Sequence, residues 1–84
     1  MAEVVIYTTQ ICPYCVRAKQ LLSRKGVEYK EVDVSHDAEQ RMQLVQRTRQ
    51  RTVPQIFIGE RHIGGCDDLY ALERAGQLDP LLAA

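Results

Sequence analysis

Residues 4–15 read VVIYTTQICPYC, an apolar β-branched run followed closely by two cysteines three positions apart. Such a run is typical of a strand buried on both faces. From residue 13 to residue 25 the chain has no glycine, and Gly26 follows a basic last turn. Apolar residues recur there at helical spacing: Val16, Ala18, Leu21 and Leu22. The stretch therefore predicts a central first strand and a first helix that begins at the cysteine pair.

The next segments predict a second strand and a second helix. Residues 29–34 alternate loosely, as a strand does. Because strand, helix and strand take only about thirty residues, the two strands should be parallel with a right-handed crossover. Asp37 and Gln40 resemble a capping box at the start of a helix from Ala38 to Thr48. We predict that the apolar residues of one face turn toward the core: Ala38, Met42 and Val45.

A hairpin is predicted after the second helix. Pro54 opens a short strand at residues 55–58. Gly59-Glu60 then reads as a two-residue turn of type II′, which places glycine first, and a strand follows at residues 61–63.

The remaining segment predicts a third helix. We expect Asp67 to cap it and Gly76 to end it, before a last short turn at Asp79-Pro80. Its predicted core residues are Leu69, Tyr70 and Leu72. The order is βαβαββα, an α/β class, in a single domain over residues 1–84.

Composition narrows the range of partners and compartments. The chain has 84 residues, 45% of them hydrophobic, and 11 basic residues balance 11 acidic ones. This balance predicts neither nucleic acid nor a membrane as a partner. The N-terminus has no basic region ahead of an apolar segment, so we expect a cytoplasmic protein. Its three cysteines cannot all pair within one chain, which makes them candidates for chemistry.

The two cysteines of residues 12–15 can react together. If helix one begins at Pro13, Cys12 stands at its N-cap, where free N–H groups and the helix dipole favour a thiolate. Such settings lower a thiol pKa from about 8.5 to roughly 3.5–7.5. Cys15 lies one turn inside the helix, close enough to form and break a disulfide with Cys12. Cys12 is thus the predicted attacking thiol and Cys15 the resolving thiol, with Pro13 fixing their geometry.

Two other interpretations of the cysteine pair stay open. A Cys-x-x-Cys pair also supplies two zinc ligands, but only Cys66, His36 and His62 remain as further ligands, none in a second such pair. Both thiols could instead be small buried residues, although a proline between them at a helix start is a poor packing arrangement. We predict no metal site.

Three motifs together carry a family resemblance. Residues 12–15 (CPYC), 52–54 (TVP) and 64–68 (GGCDD) resemble, in order, the motifs of dithiol glutaredoxins, and nearly the whole chain resembles the bacterial glutaredoxin 3 type. The resemblance implies a thioredoxin-like fold with a four-stranded mixed sheet flanked by helices. It also implies a glutathione-dependent thiol-disulfide oxidoreductase that reduces protein disulfides and glutathione mixed disulfides. Glutathione would be a co-substrate, with no bound cofactor.

The resemblance assigns a role to each motif residue. Cys12 is the nucleophile and Cys15 the resolving thiol. Val53-Pro54 would be cis and would expose the main chain of Val53 to the cysteinyl part of glutathione. Gly64-Gly65 and the start of helix three would hold its γ-glutamyl end, with Asp67 meeting the ammonium group. The residues implied to bind glutathione are Tyr14, Arg51, Thr52, Val53, Pro54, Gly65, Cys66 and Asp67, supported by Pro13, Gly64 and Asp68.

Several of these residues allow simpler interpretations. Pro54 can simply open a strand, Asp67 can be a plain N-cap, and Tyr14 can be a solvent-facing aromatic. Cys66 is either a small residue packed near the groove or a secondary redox thiol open to glutathionylation.

Two departures from the family pattern concern positive charge. Thr9 stands where the family usually carries a lysine, so one cation near the thiolate is missing. Arg49 stands where a glycine is common, and arginines at 47, 49 and 51 can replace the lost charge. The alternative is a solvated helix end whose arginines lie near the C-terminal dipole.

Two competing functions deserve comparison with the dithiol reaction. An iron–sulfur carrier held by Cys12 and glutathione is disfavoured because Cys15 offers an internal disulfide instead. A thioredoxin usually carries a Gly-Pro centre and a tryptophan before the first cysteine, and this chain has no Trp. The resemblance implies disulfide-containing or glutathionylated proteins as partners, and we expect a monomer.

Overall fold

A mixed four-stranded sheet with helices around it organises residues 2–84, which the computed structural model describes. The elements in chain order are β1 (Val4–Thr8), α1 (Pro13–Arg24), β2 (Lys30–Asp33), α2 (Ala38–Thr48), β3 (Gln55–Ile58), β4 (Arg61–Gly64), α3 (Cys66–Arg74) and α4 (Leu78–Ala83). The strand order is β2-β1-β3-β4, with β1 parallel to β2 and the other two pairs antiparallel. The predicted order is confirmed up to α3, and Met1 of the predicted domain lies outside the described residues.

The main core lies on one face of the sheet, against α1, α3 and α4. Its buried members come from both inner strands, from all three helices and from the connection after α1: Val4, Ile6, Ala18, Leu21, Leu22, Val27, Ile56, Ile58, Cys66, Leu69, Leu78 and Leu82. Of the residues predicted for the core side of α3, Leu69 is buried, while Tyr70 and Leu72 are partly buried against this cluster. Burial of this apolar surface is the main source of stability.

The first strand is less buried than its sequence indicates. Val4, Ile6 and Thr8 are buried, whereas Val5 and Tyr7 on the other face are only half-buried. The prediction of burial on both faces was wrong, because other side chains cover the second face less completely. There the Tyr7 ring meets the edge of Phe57 at 5.8 Å, and the Arg47 guanidinium of α2 lies 4.1 Å from the Phe57 ring.

Helix α1 begins at the predicted residue and ends one residue before the predicted end. Arg24 is its last residue, and Gly26 follows with φ of 70°. Its buried residues are Cys15, Ala18, Leu21 and Leu22. Val16, the other apolar residue of this stretch, is 49% exposed and lies beside Lys19, Gln20 and Ser23 on the outer surface of the helix.

Helix α2 has the predicted bounds but not the predicted apolar face. Asp37 Oδ1 accepts a hydrogen bond from the Gln40 N–H at 2.9 Å, which is one half of the predicted capping box. Met42 is 62% exposed, whereas Leu44 is the buried residue of the helix at 5%. The sequence has few apolar residues here, so contact with the sheet, rather than periodicity, decides which side is buried.

The hairpin turn agrees with the prediction. Gly59 has φ of 61°, and among residues 2–84 Arg49 is the only non-glycine residue with positive φ. Glu60 therefore has negative φ, which fits a type II′ turn and excludes type I′.

The expected last turn is in fact a helix, α4. Leu78 and Leu82, one turn apart, are both buried in the main core. Lys25 Nζ lies 2.6 Å from Glu73 and 3.0 Å from Asp79, so it joins the end of α1 to α3 and α4. Both contacts raise the pKa of Lys25, chiefly through the hydrogen bond to Glu73. Nowhere in residues 2–84 does a helix combine the length and apolarity needed to cross a bilayer.

The burial pattern of α2 can be tested with two substitutions on one helix. Leu44→Ala should lower the free energy of unfolding by about 2–4 kcal/mol, because it removes buried methyl groups and leaves a cavity. Met42→Ala should change it by no more than about 0.5 kcal/mol, because that side chain is exposed. Urea unfolding measures both. Equal losses in the two variants would contradict the assignment of the buried face.

Arg49 offers a second test, because it caps α2 in the left-handed region with φ of 60° and ψ of 25°. A non-glycine residue there costs about 1–2 kcal/mol, part of which is offset because glycine increases the entropy of the unfolded chain. Arg49→Gly should therefore raise the free energy of unfolding by roughly 0.5–1 kcal/mol. Arg51→Gly is the control and should give no gain, since its φ is negative. A loss of stability in Arg49→Gly would rule out strain at this cap.

Candidate active site

The cysteine pair lies where β1 passes into α1. Cys12 is the N-cap of α1, with extended φ of −151° and ψ of 94°, and its Sγ accepts a hydrogen bond from the Cys15 N–H at 3.1 Å. Pro13 occupies the first helical position, where no N–H is needed. The predicted N-cap position of Cys12 is confirmed. The two cysteines form a disulfide, with their Cα atoms 5.2 Å apart.

The two cysteines differ in their access to solvent. Cys12 is 9% exposed and Cys15 is 1% exposed. Exposed side chains stand around the pair, among them Ile11, Tyr14 and Val16. A substrate disulfide therefore reaches Cys12 first, which fits an attacking role for Cys12 and a resolving role for Cys15.

The loop between α2 and β3 comes close to the reactive sulfur. Cys12 Sγ lies 3.8 Å from the carbonyl oxygen of Val53, and the Val53-Pro54 peptide bond is cis, as the resemblance implied. Thr48 holds the start of this loop, because its Oγ1 accepts from the Gln50 N–H at 3.1 Å. The main chain of Val53 thus borders the site directly.

A groove of about 270 Å³ opens beside the cysteine pair. Its lining comes from all three motif segments and from Gln50, two residues before the second segment. The lining residues are Tyr14, Gln50, Thr52, Val53, Pro54, Gly65, Cys66, Asp67 and Asp68. The structure therefore brings together every residue of the predicted glutathione set except Arg51. Tyr14, at 55% exposure, forms one wall of this groove.

Arg51 lies on another part of the surface. It lines a separate pocket with α2 residues, including Arg41 and Met42. Gln50 and Thr52, its two neighbours, line the groove instead. Arg51 thus faces a different side of this loop from its two neighbours. Sequence reasoning missed Gln50, which carries no motif signal.

The segment 64–68 closes the far end of the groove. Gly64 has φ of 114°, and a Cβ there would collide with the Asp68 carboxylate. Gly65 is the N-cap of α3, and its N–H donates to Asp68 Oδ2 at 2.9 Å. The prediction of Asp67 as N-cap was wrong, because the glycine turn lets the helix begin two residues earlier. Asp67 and Asp68 instead occupy the first turn, where the helix dipole favours carboxylates.

Cys66 faces both the core and the groove. It is a free thiol, 4% exposed, and belongs to the main hydrophobic cluster. Burial raises the pKa of this thiol, against a smaller opposing effect of Arg17. A buried thiol with a raised pKa is a poor nucleophile, so this environment favours a packing role.

Gln55 is a further residue that the motifs do not reveal. It is fully buried at the start of β3 and donates from Nε2 to Gln50 Oε1 and to the Thr52 carbonyl oxygen, at 2.9 and 2.8 Å. The signal in the sequence is a polar side chain at the start of the otherwise apolar strand QIFI. Within the described part of the chain, no three His, Cys, Asp or Glu side chains cluster in a way that could bind a metal.

Comparison with known proteins agrees with this geometry. The family model described as Glutaredoxin matches residues 4–63. A glutaredoxin of Pseudomonas aeruginosa is 61% identical over 84 residues, covering 100% of both chains. Glutaredoxin 3 of Escherichia coli is 57% identical over 82 residues, covering 98% of this chain and 99% of that one.

A solved structure extends the comparison to the fold. The chain resembles a buckwheat glutaredoxin, solved as a glutathione complex, with a TM-score of 0.91 and 36% identity, over 98% of this chain and 77% of that one. This similarity confirms the thioredoxin-like fold. Together with the paired cysteines at the start of α1, these matches show that the chain belongs to the glutaredoxin family and is a dithiol thiol-disulfide oxidoreductase.

Proposed function

We propose that the chain uses glutathione to reduce glutathione mixed disulfides and protein disulfides, with residues 1–84 acting as one glutaredoxin domain. The observation that carries the proposal is the groove beside Cys12, where the segments 12–15, 52–54 and 64–68 meet. These segments lie far apart in the chain, and the fold gathers them around one reactive sulfur. The relative solved as a glutathione complex supports the same ligand.

The groove has suitable partners for the cysteinyl and γ-glutamyl parts of glutathione. The cysteinyl part would lie along the main chain of Val53, whose carbonyl oxygen is 3.8 Å from Cys12 Sγ. Its γ-glutamyl carboxylate would meet N–H groups at the start of α3, and Asp67 would meet the ammonium group. Among the described residues that line the groove there is no lysine or arginine, so in this proposal backbone N–H groups take the place of the cation that Thr9 does not supply.

The proposed reaction begins with the thiolate of Cys12. It attacks one sulfur of a substrate disulfide, so that a new S–S bond forms as the old one breaks. The departing thiolate takes a proton from solvent. The hydrogen bond from the Cys15 N–H stabilises negative charge on the attacking sulfur.

The mixed disulfide can be resolved by either of two reactions. With a glutathionylated protein, Cys12 carries the glutathionyl group, and a second glutathione thiolate attacks it to give glutathione disulfide. With a protein disulfide, Cys15 attacks the mixed disulfide and releases the reduced protein. Two glutathione molecules then reduce the Cys12–Cys15 disulfide, giving glutathione disulfide and returning both thiols.

The proposal also covers the compartment, the oligomeric state and the partners of the protein. We place the chain in the cytoplasm as a monomer, with disulfide-containing or glutathionylated proteins as its macromolecular partners. The equal numbers of acidic and basic residues, 11 each, support neither nucleic acid nor membrane as a partner.

The two cysteine roles can be separated by substitution. Cys15→Ser should retain deglutathionylation of a glutathionylated peptide but lose reduction of a protein disulfide, because only the second reaction needs the resolving thiol. Cys12→Ser should lose both reactions, by at least about a thousandfold, since the nucleophile is gone. A glutathione-coupled assay with both substrates measures this. Equal loss in the two variants would disprove the assignment.

The role of Asp67 gives a second test. Asp67→Asn should raise the KM for a glutathionylated peptide about three- to tenfold and leave kcat nearly unchanged, because it removes the charge opposite the ammonium group. Glu60→Gln is the control, since Glu60 is an exposed carboxylate in the hairpin turn. If Asp67→Asn behaves like the control, Asp67 serves the helix terminus and not the ligand.

A further inference from the structure

A buried amide connects the groove to the sheet. Both ends of the fully buried Gln55 side chain are hydrogen-bonded. Its Nε2 lies 2.8 Å from the Thr52 carbonyl oxygen, 3.2 Å from Thr52 Oγ1 and 2.9 Å from Gln50 Oε1. Its Oε1 lies 2.6 Å from His62 Nε2. None of the chemical steps uses this amide, so its burial needs another explanation.

The orientation of the Gln55 amide follows from its partners. The Thr52 carbonyl oxygen can only accept a hydrogen bond, so the nitrogen of the amide must face it. The oxygen of the amide then faces His62, and His62 Nε2 must carry a hydrogen to donate to it. The imidazole and the imidazolium forms can both donate from Nε2. The contact therefore persists in either protonation state.

The His62 ring is itself held against the sheet. It packs on the Phe57 ring with centroids 5.1 Å apart, and Phe57 is buried between Tyr7 and Arg47. His62 and Phe57 are paired residues of β4 and β3. The donor that orients the Gln55 amide thus rests on a rigid part of the molecule.

The opposite end of the amide reaches the wall of the groove. Gln50 and Thr52 both line the groove, and Val53, which follows Thr52, lies beside Cys12. We propose that Gln55, oriented by His62, is a positioning residue that fixes the loop 50–53 in the conformation that receives glutathione. This inference rests on the proposed function. A loop fixed before binding loses less entropy when the ligand arrives.

Substitution of Gln55 tests the positioning role. Gln55→Glu keeps an acceptor for His62 but removes both donors to the loop, and Gln55→Met removes them without adding charge. In each variant, kcat/KM for a glutathionylated peptide should fall about tenfold, as expected for lost hydrogen bonds that fix the loop, and kcat should stay within about twofold. Gln46→Glu, an exposed change of the same kind on α2, should leave both unchanged. A loss in Gln55→Glu alone would show a charge effect and overturn the proposal.

Substitution of His62 tests the other half of the arrangement. His62→Phe keeps a ring against Phe57 and removes the donor to Gln55 Oε1, so kcat/KM should fall about threefold. The double variant His62→Phe/Gln55→Met should be no worse than Gln55→Met, because both changes break one connected unit. Additive losses would show that His62 acts independently of Gln55.

A spectroscopic readout separates this inference from the proposed function. Nitrogen-15 NMR of the wild-type protein should show His62 with Nε2 protonated and slowly exchanging Gln55 side-chain amide protons. His62→Phe should shift the amide signals. If the wild type lacks glutathione-dependent activity but shows these signals, the proposed function fails and the hydrogen bonds stand. If activity is present and Gln55→Met matches wild type in kcat/KM, the positioning role fails alone.

Discussion

The hydrogen bond from the Cys15 N–H to Cys12 Sγ ties the chemistry to the fold. A helix needs an acceptor at its N-terminus, and here the acceptor is the sulfur that reacts. Burial of Ala18, Leu21 and Leu22 in the core holds α1 in place, so core packing determines where the reactive atom stands. The same burial keeps Cys15 at 1% exposure and leaves Cys12 slightly more accessible at 9%, which separates their roles.

Features marked by clear proline or glycine signals could be predicted from the sequence, whereas features without such signals could not. Proline at the start of α1 and glycine after its end marked the helix closely, and the hairpin followed from Gly59-Glu60. The prediction of the buried face of α2 was wrong. This helix is largely polar, so its sequence does not identify the buried side, and contact with the sheet buries Leu44. Helix α4 was missed because Asp79-Pro80 resembles a turn, although proline in a first helical turn is compatible with a helix.

The residues of the candidate site likewise include some that the sequence predicts and some that it does not. Motif residues such as Val53 and Gly65 sit at the ends of elements, so their convergence on one groove followed from the order of strands and helices. The outward direction of Arg51 depends on how one loop leaves α2, which composition does not reveal. The contact between Gln55 and His62 joins two neighbouring strands, so no pattern of adjacent residues in the sequence predicts it.

The C-terminal helices α3 and α4 are needed to complete the hydrophobic core. The family model ends at residue 63, yet Leu78 and Leu82 fill the core that holds α1, and Lys25 is anchored by Glu73 and Asp79. A fragment cut at that boundary would keep both cysteines and α1 but lose α3 and α4, which complete the core around α1. The packing that holds the cysteine pair in place therefore involves residues well beyond those that mark the family.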